Sequence, residues 1–162
     1  MSDNRWLNEK YAEIGAQLIE TEDVLINIRI SQVTIVYLSS DLEKTDKGRI
    51  VYGQCEKVAD KYKWGIPADF TITLFEPNVA NKSNEAIRRI ILHELLHVGI
   101  GIGKDDAEET YFVRPHDFED FKYMVDNFGT EWANVGDEPI FEADIDEWKP
   151  LNAIWKEGGE RQ

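Results

Sequence analysis

The chain has 162 residues, of which 42% are hydrophobic and 31% charged, so it is long enough for one domain and apolar enough to bury a core. This composition excludes a wholly disordered chain. The formal net charge of −14 would repel phosphate groups, which argues against nucleic acids and anionic membranes as partners.

The cysteine content and the hydropathy indicate the compartment. Cys55 is the one cysteine, so no intramolecular disulfide can form, and we expect its thiol to be a small, half-buried hydrophobe. No segment approaches the roughly 18 apolar residues of a membrane span, and the N-terminal region does not resemble a signal peptide. We therefore expect a soluble cytoplasmic protein.

The N-terminal part predicts a helix and then a strand. Apolar residues recur at helical spacing between Asp3 and Glu20, which predicts an amphipathic helix. They are Leu7, Tyr11, Ile14 and Leu18. The stretch Asp23 to Ile30 is compatible with a short helix or a strand, and Val33 to Leu38 predicts a strand because it is rich in β-branched residues.

Two further strands are expected in the middle of the chain. Arg49 to Gln54 follows the charged loop that contains Lys47-Gly48, and Asp69 to Phe75 alternates before Pro77. Between them, Lys57 to Trp64 predicts a short helix or an irregular connection. The edge of the strand over 69–75 could bind an extended peptide, although an ordinary core strand explains the pattern equally well.

Helices and glycines dominate the second half. Ser83 is a suitable N-cap for a helix from about Asn84 to Val98, which Gly99 would end in a left-handed conformation. The glycines from Gly99 to Gly103 then predict a flexible loop. Thr110 to Val113 predicts an edge strand or an extended loop.

A last helix is expected to begin at Asp117 or at Pro115-His116 and to end at Gly129. We assign residues 1–134 to a single domain and residues 135–162 to an acidic segment whose aromatic side chains dock on that domain or trail from it. The elements together predict an α+β fold. A small mixed sheet of three to four strands would pack with the N-terminal helix, the helix over 84–98 and the helix that follows it.

The helix over 84–98 carries the sequence His93-Glu94-Leu95-Leu96-His97. Two histidines four residues apart lie on one helical face and can bind one metal ion, while Glu94 can reach a metal-bound water beside them. This is the motif of zinc proteases. We therefore predict His93 and His97 as zinc ligands and Glu94 as the catalytic residue.

A third zinc ligand is needed, because a catalytic site has three protein ligands and one open position. His116 is the only other histidine in the chain and stands near the start of the last expected helix. The metzincin pattern would place a histidine at position 103, where this chain has Gly103. A carboxylate remains the competing third ligand, from Glu108, Glu109, Asp117 or Asp120.

Other residues near His116 are candidates for supporting roles. Asp117 and Asp120 could accept the second N–H of a metal-bound imidazole and so fix its tautomer. Tyr111, Arg114 and Tyr123 are candidates for the second donor to the oxyanion of the transition state, besides the zinc ion. The sequence does not choose among these three.

The expected reaction follows from the charges. Three neutral imidazoles would leave the full charge on zinc, which lowers the pKa of its bound water towards about 7. Glu94 would take the proton of that water as it attacks the carbonyl and would then pass the proton to the leaving amine. The expected activity is zinc-dependent hydrolysis of peptide bonds in a peptide or protein substrate.

Four blocks of the chain form a wider pattern. They are Lys47-Gly48-Arg49 with the following strand and Cys55, then Asp69-Phe70-Thr71-Ile72, then Ile91 to Gly99, and finally Pro115-His116-Asp117-Phe118-Glu119-Asp120-Phe121 running to Phe128-Gly129. Together they resemble the putative phage metallopeptidases, small zincin-like proteins encoded by phages and prophages. The resemblance covers about residues 30–130, and the two histidine-containing blocks are its most specific part.

The resemblance implies a zincin-like α+β fold with His93, His97 and His116 at the zinc ion and Glu94 as the catalytic residue. It also implies a phage or prophage origin and hence the host cytoplasm. The acidic segment from Val135 onward lies outside the shared pattern.

Two other functions stay open at this point. A zinc-stabilised module could bind a host protein through its acidic surface without turnover, and Glu94→Gln would then leave its function unchanged. The acidic face could also mimic nucleic acid and occupy a DNA-binding protein, which would appear as tight, salt-sensitive capture of a basic protein. The intact Glu94 favours the peptidase, and the sequence does not define the oligomeric state.

Overall fold

The protein alternates short strands and helices, and the computed structural model describes residues 2–102, 108–116, 121–129 and 132–134. Its strands are β1 (Arg5–Leu7), β2 (Ile35–Ser40), β3 (Thr45–Asp46), β4 (Arg49–Ile50), β5 (Gly53–Lys57), β6 (Phe70–Phe75), β7 (Val98–Ile102) and β8 (Glu109–Val113). Its α-helices are α1 (Glu9–Thr21), α2 (Ile26–Arg29), α3 (Glu76–Val79), α4 (Asn84–Leu95) and α5 (Lys122–Phe128). Short 3₁₀ helices cover Asp23–Leu25, Asp60–Tyr62 and Trp132–Asn134.

A four-stranded mixed sheet in the order β1-β2-β6-β5 forms the centre of the fold. β1 and β5 run antiparallel to their neighbours, whereas β2 and β6 are parallel and pair from Ile35 with Phe70 to Ser40 with Phe75. Two antiparallel pairs, β3 with β4 and β7 with β8, lie outside this sheet. The prediction of a mixed α+β fold with a small sheet is therefore confirmed.

The core lies between the sheet and the two longest described helices, α1 and α4, which also pack on each other. Phe70, Ile72 and Leu74 of β6 are completely buried, as are Ile91 and Leu95 of α4. Burying one such side chain contributes about 1.5–3 kcal/mol to stability. This packing fixes α4, and with it the histidine pair near its C-terminal end.

The first helix begins later than predicted. Asn8 is its N-cap, and the Asn8 side chain accepts a hydrogen bond from the Tyr11 amide at 3.1 Å. The preceding residues form β1, whose Leu7 is 71% exposed. The predicted start at Asp3 was wrong, because an asparagine cap and pairing with β2 outweigh one more leucine at helical spacing.

The predicted strands over 33–38 and 69–75 correspond to β2 and β6. The prediction of one strand over 49–54 was wrong, because the structure has two strands there, β4 and β5. Lys47 and Gly48 both have positive φ, 52° and 78°, and close a tight hairpin between β3 and β4. The chain then enters β5 separately. The ambiguous segment over 23–30 is helical, and a 3₁₀ turn lies within residues 57–64.

The strand over 69–75 was considered as an edge strand that could bind a peptide, but it lies inside the sheet as β6. β6 is paired on both sides, with β2 and with β5, so it cannot offer its edge to a peptide. The two edge strands of the sheet are β1 and β5, and β5 is the one beside β6. The alternative reading of β6 as an ordinary core strand is the right one, because a nearly continuous apolar strand is typical of an internal position.

The helix with the motif begins as predicted but ends early. The Ser83 hydroxyl accepts a hydrogen bond from the Ala86 amide at 3.1 Å, and the last residue of α4 is Leu95. Gly99 does not terminate the helix but lies in β7, where a Cβ would come 2.4 Å from the Phe112 ring. The predicted loop was therefore wrong over residues 99–102, since these glycines serve close packing, and Gly103 lies outside the described residues.

In the C-terminal part, the predicted strand and the predicted end of the last helix agree with the structure, but the predicted start of that helix at Pro115-His116 does not. A strand over 110–113 is confirmed as β8, and α5 ends at Phe128 with Gly129, whose φ is 80°, as its C-cap. Pro115 and His116 are not helical, and α5 begins at Lys122. The predicted start at Asp117 and the acidic segment over 135–162 lie outside the described residues. None of the described helices combines the length and apolar character that crossing a membrane requires.

Candidate metal centre

Three histidine side chains meet at the C-terminal end of α4. His93 lies in the last turn of α4, His97 lies in the turn between α4 and β7, and His116 lies in the segment that follows β8. Each offers one ring nitrogen, and these three atoms lie within 4.8 Å of one another. The ring centroids are 4.5 to 5.3 Å apart. The structure thus brings together all three histidines that the sequence singled out.

Hydrogen bonds at Nδ1 indicate which nitrogen of His93 and of His97 could bind a metal ion. His97 Nδ1 donates to the carbonyl oxygen of Arg114 at 2.7 Å, which leaves Nε2 as the nitrogen that could bind an ion. His93 Nδ1 donates to Glu94 Oε2 at 3.0 Å. His93 Nε2 and His116 Nε2 then lie 3.1 Å apart.

These nitrogens fit a metal ion. Two nitrogens bound to one tetrahedral zinc ion are about 3.3 Å apart, given bonds of about 2.0–2.1 Å. The separation of His93 Nε2 and His116 Nε2 is close to that value. Three imidazole nitrogens are also a donor set found in catalytic zinc sites, and the residues present can therefore hold a metal ion.

Glu94 lies between the histidines and strand β5, and it is only 5% exposed. A Cβ added to Gly53, the first residue of β5, would come 3.2 Å from Glu94 Cγ and 3.4 Å from Oε2. The missing side chain at Gly53 therefore makes room for the carboxylate. Cys55 is nearby, and burial together with the charge of Glu94 raises the pKa of its thiol, which stays protonated.

A cavity of about 410 Å³ opens over this centre. One wall consists of the β3–β4 hairpin and the beginning of β5, and Arg49 and Tyr52 contribute polar side chains to it. His93, Glu94, His97, His116 and Trp132 also line the cavity. A ligand in this cavity would touch both the histidines and the edge strand.

Two aromatic residues that sequence reasoning missed as site residues surround the histidines. Phe121 is 1% exposed, and its ring centroid lies 4.8 to 5.3 Å from those of all three histidines. Trp132 is 8% exposed and stacks on His93 with centroids 4.9 Å apart and an interplanar angle of 27°. The sequence marked Phe121 only as part of the block from Pro115 to Phe121, and no local pattern indicated Trp132.

The three predicted oxyanion donors lie in different places. The Tyr111 hydroxyl donates to Glu109 at 2.7 Å beside a separate polar cavity of about 740 Å³, and this bond raises the pKa of Tyr111 to about 12. The Tyr123 hydroxyl donates to Glu22 at 3.1 Å, and burial raises its pKa. Arg114 is closer, because its guanidinium lies 5.1 Å from the Phe121 ring centroid, but none of the three lines the histidine cavity.

The carboxylates that the sequence offered as alternative third ligands do not join the three histidines among the described residues. Glu109 Oε1 accepts hydrogen bonds from the Tyr111 hydroxyl and from the Gln32 amide. Among the described residues, the metal-binding group contains neither Glu108 nor Glu109. Asp117 and Asp120 lie outside the described residues.

Comparison with known proteins gives a match that spans most of the chain. A family model with the description "putative phage metallopeptidase" matches residues 5–139, a range that includes the three histidines and Glu94. No curated protein and no solved structure matches the chain. Because the match spans most of the 162 residues, the chain belongs to the putative phage metallopeptidase family.

Proposed function

We propose that the protein is a zinc-dependent peptidase of the zincin type, with His93, His97 and His116 as metal ligands and Glu94 as the general base. The observation that carries this proposal is the convergence of three imidazole nitrogens within 4.8 Å beside a buried glutamate. Nitrogen donors of this kind with one open position suit catalytic zinc. A bound zinc ion would polarise the carbonyl of a substrate and acidify the attacking water.

Glu94 is placed to move a proton. Its Oε2 contacts His93 Nδ1, so Oε1 remains to accept a proton from the water that attacks the peptide carbonyl. The carboxylate is nearly inaccessible to solvent, which strengthens its electrostatic interactions with the centre. The same oxygen can then give the proton to the leaving amine.

The sheet edge supports a peptide as the substrate. β5 pairs with β6 on one side, and no described strand pairs with it on the other. The segment Gly53 to Cys55 also lines the histidine cavity. An extended peptide could add to this edge through its backbone groups and present one of its carbonyls to the centre.

Metal analysis combined with a hydrolysis assay tests the proposal. The wild-type chain, purified without a histidine tag, should contain about one zinc ion and cleave a fluorophore-labelled unfolded protein. A chelator should stop cleavage and added zinc should restore it. Bound zinc without cleavage of any peptide in a random library would favour the non-catalytic module that binds a host protein. Failure to bind added zinc would refute the metal site.

Gly53→Ala should reduce kcat about tenfold while leaving the zinc content unchanged, since small displacements of catalytic groups are costly. The new Cβ would be 3.2 Å from both Glu94 Cγ and the Thr73 carbonyl oxygen, so the glutamate side chain must shift. Steady-state kinetics of the zinc-loaded variant measure the effect.

Gly65→Ala is the matched control for this substitution. A Cβ at Gly65 meets nothing within 4 Å, and kcat should stay at the wild-type value. Equal kcat values for the Gly53 and Gly65 variants would show that the close approach of β5 does not position Glu94.

A further inference from the structure

We propose that Trp132 is a positioning residue of the metal centre, whose indole ring holds the His93 imidazole in the orientation that binds the ion. This inference rests on the metal site of the proposed function. It concerns a residue that lies far from the motif in sequence and belongs to the short 3₁₀ helix Trp132–Asn134.

The first argument is the geometry of the stack. The Trp132 and His93 rings are nearly parallel, with centroids 4.9 Å apart, so the indole covers one face of the imidazole. Phe121 meets the same imidazole in an edge-on arrangement at 5.3 Å and 62°. The 3₁₀ helix packs on α4, and Trp132 is 8% exposed, so its ring is held in place. Rotation of the His93 ring would break the stack.

The second argument is the difference between the hydrogen-bond partners of His93 and His97. His97 Nδ1 donates to the backbone carbonyl of Arg114. His93 Nδ1 donates to the side chain of Glu94. Because the Glu94 side chain has rotatable bonds, this hydrogen bond fixes the imidazole less firmly than a bond to a backbone carbonyl does.

His93 therefore gains from a second orienting contact. The stacked indole is such a contact, because rotation of the imidazole would separate the two ring faces. The indole also keeps water away from one face of a ligand, and apolar surroundings of this kind tune metal sites.

The test compares zinc affinities, measured by competition with a chromophoric chelator. Trp132→Leu keeps an apolar side chain but removes the planar ring, and it should weaken zinc binding about tenfold. Trp132→Phe retains a stacking ring and should bind within about threefold of wild type. Trp64→Ala is the control, because Trp64 is 89% exposed, and its affinity should equal that of wild type. Circular dichroism verifies that each variant is folded.

Glu94→Gln provides a second readout that a merely structural role of Trp132 would not give. Glutamine can still accept the hydrogen bond from His93 Nδ1 but carries no charge, so in protein that keeps Trp132 it should weaken zinc binding by less than about threefold. In the Trp132→Leu variant, the same Glu94→Gln change should weaken zinc binding by about another tenfold, because neither contact then orients His93 firmly.

Two outcomes would overturn the inference. One is a Trp132→Leu variant that binds zinc like wild type. The other is a double variant whose fold-loss of zinc affinity equals the product of the fold-losses of the two single variants. If wild-type protein itself takes up no zinc, the proposed function fails instead, so the two failures are distinguishable.

Discussion

Glu94→Gln is expected to lower kcat for peptide hydrolysis by about 10²–10⁴-fold, while the protein still binds one zinc ion. The amide has the size of the carboxylate and can accept a hydrogen bond from His93 Nδ1, but it cannot take a proton from water. Rates on a labelled unfolded protein and metal content from the same preparation measure both effects.

The matched control for this variant is Glu56→Gln, in the same strand as Gly53. Glu56 pairs with Arg5 at 2.8 Å and does not line the histidine cavity, so its kcat should stay within about twofold of wild type, as for a surface substitution. Undiminished hydrolysis by the Glu94 variant would contradict the assignment of the base. Loss of zinc from that variant would show that Glu94 acts mainly through His93.

His116→Ala is expected to weaken zinc binding by about 10²–10³-fold, since a binding free energy of about 10–16 kcal/mol is shared among roughly four ligands. Elemental analysis of wild-type and variant protein, purified identically, measures the change. A variant that keeps its zinc at wild-type affinity would point to a carboxylate as third ligand, and Asp117 and Asp120 would be the residues to replace next.

Melting temperatures give an independent measurement of the same site. A ligand present at a thousand times its Kd stabilises the folded state by about 4 kcal/mol, and in a domain of this size that corresponds to roughly 8–16 °C. A chelator should therefore lower the melting temperature of wild-type protein by about that amount. His97→Ala should melt at one temperature with or without the chelator, and continued sensitivity would place the stabilising ion elsewhere.

The part of the site that local spacing governs could be predicted from the sequence. The predicted helix puts His93 and His97 on one face, and although α4 ends at Leu95, the turn that follows it keeps the two rings 5.3 Å apart. His116 was found by a different argument, the small number of histidines in the chain. It does not lie at the start of a helix, as the sequence suggested, but in an irregular segment after β8.

The remaining features depend on contacts between distant parts of the chain. Trp132 reaches His93 through the packing of a 3₁₀ helix on α4, and Gly53 meets Glu94 because β5 borders that helix. Gly99 shows why a local signal can mislead. A glycine after a helix can end it in a left-handed conformation or make room for a neighbouring side chain. Gly99 does the second, because the Phe112 ring packs against it where a Cβ would be.

The attachment of His116 bears on how quickly the centre would exchange its metal. His93 lies in α4, which the core fixes, whereas the segment with His116 is joined to His97, just beyond α4, by two hydrogen bonds of 2.6 and 2.7 Å between Arg114 and His97. An incoming ion would meet two ligands that are already in place and would then be enclosed by the third. Release would follow the reverse order, so the residence time of the ion would depend on how often this backbone anchor opens.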